Sequence, residues 1–114
     1  MADDRVYVNE AEGIKRVMNN AKLYVKLLTK FRNENNLDDL NSCLGAGDLE
    51  KAQAAAHTIK GIAANLSLTA LFQQLQEVET RIKNKAVDQE ALDSLNATFA
   101  ETLTEVDKVL AKYA

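Results

Sequence analysis

Proline does not occur in this sequence, so no position forbids a helix on steric grounds. Aromatic residues are scarce, at 5% of the chain. Ala, Leu, Lys, Glu and Gln, the strong helix formers, are abundant. There is one cysteine, Cys43, which excludes an intramolecular disulfide and fits a reducing, cytoplasmic setting. There is one histidine, His57. A lone histidine and a lone cysteine on separate segments make a poor ligand set, so no metal or haem site is expected. The charges are mixed in sign, with a net value of −3 and no basic stripe, so no nucleic-acid partner is expected. No apolar run approaches the roughly 20 residues of a membrane span. The N-terminal Met-Ala-Asp-Asp lacks the charged-then-apolar pattern of a targeting segment. A Gly-rich phosphate loop and a paired-carboxylate Mg²⁺ site are both missing, which argues against any kinase activity of the chain's own.

What is present describes an ordinary soluble domain, 46% hydrophobic and 27% charged. Its 114 residues suit a single domain, 1–114, expected to be a monomer. Asn9 with Glu12 resembles a capping box that would open a short helix ending near Met18. A second helix is predicted from about Asn20 to Asn35, because Tyr24, Leu27, Leu28 and Phe31 keep helical spacing. Leu37, Leu40 and Leu44 suggest a short continuation. Gly45-Ala46-Gly47 breaks the chain, and Asp48 is placed to cap a third helix running to about Ala64. Ser67 is a candidate cap for a fourth helix, with Leu71, Leu75, Val78 and Ile82 as its core stripe. Asp88 would cap a last helix presenting Leu92, Leu95, Phe99, Leu103, Val106, Leu110 and Tyr113. Short joints between long amphipathic helices imply antiparallel neighbours. The expected fold is therefore all-α: an antiparallel up-down four-helix bundle with a short extra N-terminal helix.

The third helix carries the chemistry. At about 100° per residue, Leu49, Ala52, Ala56, Ile59 and Ala63 gather on the core side, and His57 falls roughly 150° from their middle. Its imidazole should face solvent in mid-helix. Gln53, Ala54, Lys60, Gly61 and Ala64 surround it, most of them small. Gly61 costs the helix about 1 kcal/mol relative to alanine, yet sits on the histidine's face, where the core gains nothing. A missing side chain there lets another protein approach the ring. The competing reading is that Gly61 simply ends the helix. Lys60 places an ammonium one turn away, able to compensate a phosphoryl group. Histidine is mostly neutral, and so nucleophilic, at neutral pH.

His57-Thr58-Ile59-Lys60-Gly61 followed by Ala63-Ala64-Asn65-Leu66 resembles the signature of histidine-containing phosphotransfer (HPt) domains. The likeness extends over about 9–112. Tyr24 to Phe31 is similar to the family's helix ending in phenylalanine, Asp48 stands nine residues before His57, and Leu71, Leu75, Val78 and Glu79 are similar to the following helix. One departure is Ser67, where the family commonly has glycine.

The resemblance implies a phosphorelay carrier. His57 would be the phosphoryl acceptor and donor, Lys60 its electrostatic support, and Gly61 the access residue. Glu79, 22 residues after the histidine, would hydrogen-bond and orient the imidazole; as a bare spacing it reads equally well as a solvated charge. Gln53, Ala54 and Ala64 would form part of the docking surface. The implied partners are a response-regulator receiver domain, a hybrid histidine kinase, or both. No cofactor of its own is implied, the Mg²⁺ coming from the receiver. Two alternatives stand beside this: a phosphotransfer domain excised from a chemotaxis-type histidine kinase, and a helical adaptor with no chemistry, in which His57 is incidental.

Overall fold

The computed structural model of the chain describes residues 6–113. Residues 1–5, including Met-Ala-Asp-Asp, and residue 114 of the expected domain lie outside them. The described residues form six helices and no strand: α1 (Glu10–Arg16), α2 (Ala21–Asn33), α3 (Leu37–Gly45), α4 (Leu49–Leu66), α5 (Thr69–Lys83) and α6 (Gln89–Lys112).

Short polar side chains fix four of the helix starts. The side chains of Asn9, Asn20, Asp48 and Asp88 accept hydrogen bonds from the backbone N–H of Glu12, Leu23, Lys51 and Ala91, at 2.8–3.2 Å. The reciprocal half of a capping box at α1 does not form. The Glu12 carboxylate accepts instead from the Ser67 hydroxyl at 2.8 Å and from Arg16. The Leu37–Leu44 stretch is a separate helix and not a continuation of α2. Asn36 takes the left-handed conformation (φ 63°) between them, which asparagine tolerates better than most residues.

Ser67 also departs from expectation. It caps no N-terminus: it is the left-handed residue (φ 58°) that ends α4, and α5 starts after Leu68. The Leu68 N–H reaches back to the Ala63 carbonyl at 2.8 Å, closing the turn as a Schellman-type end. Glycine adopts this left-handed geometry more readily than serine.

α2, α4, α5 and α6 form a closed ring of neighbours, and α3 packs on α4. The side-chain bonds run antiparallel: Tyr24 near the start of α2 meets Leu66 at the end of α4, and Arg81 late in α5 reaches Asp88 at the start of α6. The core takes Leu28 and Phe31 from α2, Ala52, Ala56, Ile59 and Ala63 from α4, and Leu71, Leu75, Val78 and Ile82 from α5. The rings of Phe31 and Phe99 stack with centroids 5.6 Å apart. The α6 stripe is shifted from the expected one. Leu95, Phe99 and Val106 are buried, but Thr98, Thr102 and Val109 join them, while Leu103 and Leu110 are half-buried and Tyr113 is exposed. Thr102 is tolerated inside because its hydroxyl donates to the Thr98 carbonyl at 2.7 Å.

α1 closes the end of the bundle where α4 turns into α5. The Asn9 N–H donates to the Ser67 carbonyl at 2.9 Å, and the Ala70 N–H donates to the Val6 carbonyl at 2.8 Å. Among the described residues, no helix is long and apolar enough to cross a membrane.

Candidate functional site

α4 is the scaffold of the site. Its 18 residues bury Ala52, Ala56, Ile59, Ala63 and Leu66 on one face. Small alanines let α4 sit close to its neighbours, and they leave the opposite face to His57. The His57 side chain is 72% exposed in the middle of the helix. A β-carbon on Gly61 would meet nothing within 4 Å. No internal packing requires a glycine there, and α4 continues through Leu66, so Gly61 does not terminate the helix.

Glu79 is brought to the same place from α5. It follows Val78 at the edge of the buried stripe, and its side chain is only 8% exposed. One carboxylate oxygen, Oε1, accepts from Lys60 Nζ at 2.6 Å. The other, Oε2, stands 3.4 Å from His57 Nδ1. That second distance is a polar contact, longer than a good N–H···O hydrogen bond. The structure therefore gathers His57, Lys60 and Glu79 into one cluster, with Glu79 at the centre. The hydrogen bond from Lys60 holds the Glu79 carboxyl below the usual carboxylate range, outweighing burial, which acts upward; the charges of Lys60, His57 and Lys83 add to the lowering.

This arrangement changes how Lys60 reads. Its side chain is 22% exposed, and its ammonium is turned onto Glu79 instead of standing open beside the imidazole. With Nδ1 facing Glu79, Nε2 is the ring nitrogen that no described residue engages. A neutral ring with its proton on Nδ1 would present an Nε2 lone pair to an incoming electrophile.

A shallow depression of about 500 Å³ opens beside the ring, lined by Glu50, Gln53, Ala54, His57, Glu79 and Lys83. Gln53 and Ala54 thus lie next to His57. Ala64 does not share the depression. It lines a smaller one, with Phe72, Ser67 and Glu12, toward the α4–α5 turn. Glu50 and Lys83 escaped the sequence reading. Lys83 had a usable signal, because it lies four residues after Glu79 on the same helix face. Among the described residues, no group of three or more His, Cys, Asp or Glu side chains could hold a metal ion.

In the comparison with known families, the model of the Hpt domain aligns with residues 26–110, most of the chain. No curated protein and no solved structure matches it.

Proposed function

Since this chain belongs to the Hpt domain family, whose members serve as histidine phosphotransfer modules of phosphorelays, we propose that His57 is its phosphoryl carrier, exchanging the group with the aspartate of a receiver domain. The observation that carries this reading is the placement of the only histidine: exposed in mid-helix, beside an open glycine, with Nδ1 turned toward a buried carboxylate.

The step itself is an in-line displacement. Nε2 of the neutral imidazole attacks the phosphorus of the receiver's aspartyl phosphate. The Nε2–P bond forms, the O–P bond breaks, and the aspartate leaves as a carboxylate. The Nδ1 proton stays on the ring, toward Glu79, which offsets the positive charge the ring acquires. Phosphoryl transfer depends more on alignment and charge neutralisation than on covalent help. The chain's share is a nucleophile on a rigid helix, with Gln53, Ala54 and Ala64 offered to the partner's surface. The receiver would bring its aspartate and its Mg²⁺; the chain needs no cofactor of its own and has no kinase activity. A hybrid histidine kinase is the natural upstream source. Such an exchange belongs in the cytoplasm, where the unpaired Cys43 is also at ease, and a monomer suffices for it.

The test is incubation with a panel of phosphorylated receivers and with a histidine-kinase catalytic domain. Wild type should acquire acid-labile, base-stable phosphate, and His57→Gln should acquire none while keeping its helical circular dichroism. Label that persists in the variant would remove His57 from the reaction. A donor preference for the kinase domain over every receiver would make the chain the phosphotransfer part of a chemotaxis-type kinase.

A further inference from the structure

The geometry points to Lys83 as the cation that contacts the phosphoryl group on His57, with Lys60 serving instead to hold Glu79. This rests on the phosphotransfer reading and names the charge that serves it.

Lys60 is already committed. Its ammonium donates to Glu79 Oε1 at 2.6 Å, and the Glu79 side chain is 8% exposed. If Lys60 turned to a phosphoryl group, it would leave a buried carboxylate with only the imidazole beside it. Removing one partner of a buried ion pair is strongly unfavourable, because the remaining charge stays desolvated. The arriving phosphoryl group is itself anionic, so the moment of transfer is the worst one at which to strip Glu79 of its counter-ion. Lys60 therefore stays in place.

Lys83 is under no such constraint. It is exposed and lines the same depression as His57 and Glu79. It sits four residues beyond Glu79 on α5, about 6 Å along the axis, so its stem rises from the wall facing the ring. Among the described residues it makes no ion pair or hydrogen bond, although its charge is felt at Glu79. A lysine head is a compact point charge on a flexible four-carbon stem, suited to follow a group that comes and goes. The other charge lining the depression from α4, Glu50, is an anion two turns before His57, and Lys83 is not paired to it. A phosphoryl group on Nε2 would thus meet one uncommitted cation in this depression, and that cation is Lys83.

The experiment uses ammonium phosphoramidate as donor, so that no partner protein contributes charge. Nε2 displaces ammonia: the donor's P–N bond breaks as the Nε2–P bond forms, and the leaving nitrogen takes up a proton from water. Wild type, Lys83→Gln and Lys83→Arg are compared for the rate of His57 phosphorylation at low and high ionic strength. The Lys60 and Lys83 ammonium signals are followed by NMR before and after phosphorylation. Lys83→Gln should react roughly twofold to fivefold more slowly at low salt, the range of an exposed ion pair. High salt should erase the difference, and Lys83→Arg should restore the rate. The Lys83 signal should move on phosphorylation by more than the Lys60 signal. Equal rates at low salt, or a Lys83 signal that stays still while that of Lys60 moves, would overturn the assignment. A wild-type chain that takes no phosphoryl group on His57 would sink the carrier reading and the role of Lys83 with it; a chain phosphorylated equally in all variants sinks the role of Lys83 alone.

Discussion

A β-carbon on residue 13 would lie 2.3 Å from the ring of Tyr24. The ring has nowhere to retreat. It is wholly buried, and its hydroxyl donates to the Leu66 carbonyl at 2.8 Å. Burial also pushes the Tyr24 phenol well above its usual range. Gly13→Ala should therefore destabilise the fold by about 1–3 kcal/mol, the usual cost of overpacking, against the roughly 1 kcal/mol that alanine gains in helix propensity. Thermal unfolding decides it: a Tm equal to that of wild type would mean that α1 can shift away from Tyr24.

Gly61 should behave in the opposite way. Its surroundings are empty, so Gly61→Ala should stabilise the protein by about 1 kcal/mol. Gly61→Gln should preserve the fold and slow transfer from a phospho-receiver. Equal transfer rates in Gly61→Gln and wild type would show that the partner does not use the opening.

Glu79 predicts a pH dependence of stability. Lys60 holds its folded pKa below the ordinary carboxylate value. Its ionised form thus adds stability that is complete above the ordinary carboxylate range and is lost as pH falls through the folded value. Wild type should lose more stability over that acidic interval than Glu79→Gln, which has no such group to titrate. Lys60→Gln should begin its loss at higher pH than wild type. Denaturant unfolding measured across the interval checks both, and superimposable curves for all three proteins would mean that the pair contributes nothing.

The same carboxylate also predicts a kinetic order. Glu79→Gln keeps an oxygen that can face Nδ1–H but loses the charge, and Glu79→Ala loses both. Single-turnover transfer should be slower in Glu79→Ala than in Glu79→Gln, and slower in Glu79→Gln than in wild type. Identical rates would reduce Glu79 to a partner of Lys60 with no bearing on the ring.

Much of this was legible in the sequence wherever one residue type answers one physical need. Asn9, Asp48 and Asp88 read as caps because a short side chain with an acceptor precedes an apolar stripe. Leu71, Leu75, Val78 and Ile82 read as core because their spacing matches one helix face, and all four are buried. The same arithmetic turned His57 outward. The errors fall where a residue does something its type does not advertise. Ser67 has the chemistry of a cap but the backbone of a helix end, and a φ of 58° leaves no trace in a single sequence. Thr98 and Thr102 look polar, yet are buried, because the Thr102 hydroxyl bonds to its own helix and the Thr98 hydroxyl reaches Gln74 on α5. Spacing alone could bring Glu79 to the edge of the core and to the neighbourhood of His57. It could not tell that Lys60 would take the shorter contact, since that depends on how two helices meet. Lys83 was passed over for a simpler reason: a lysine on a polar face usually means only solvation.

The bareness of Gly61 has a consequence for the backbone itself. In α4 the Gly61 N–H points back to the carbonyl of His57, the bond expected four residues apart in a helix. With no side chain above it, that bond is shielded from water less than its neighbours are. Amide exchange should therefore be faster at Gly61 than one turn to either side, a soft spot in an otherwise regular helix. A docked receiver would cover the opening and expel that water, so slowed exchange at this single amide would report the encounter. It would do so even in a His57→Gln chain, where no phosphoryl group can move.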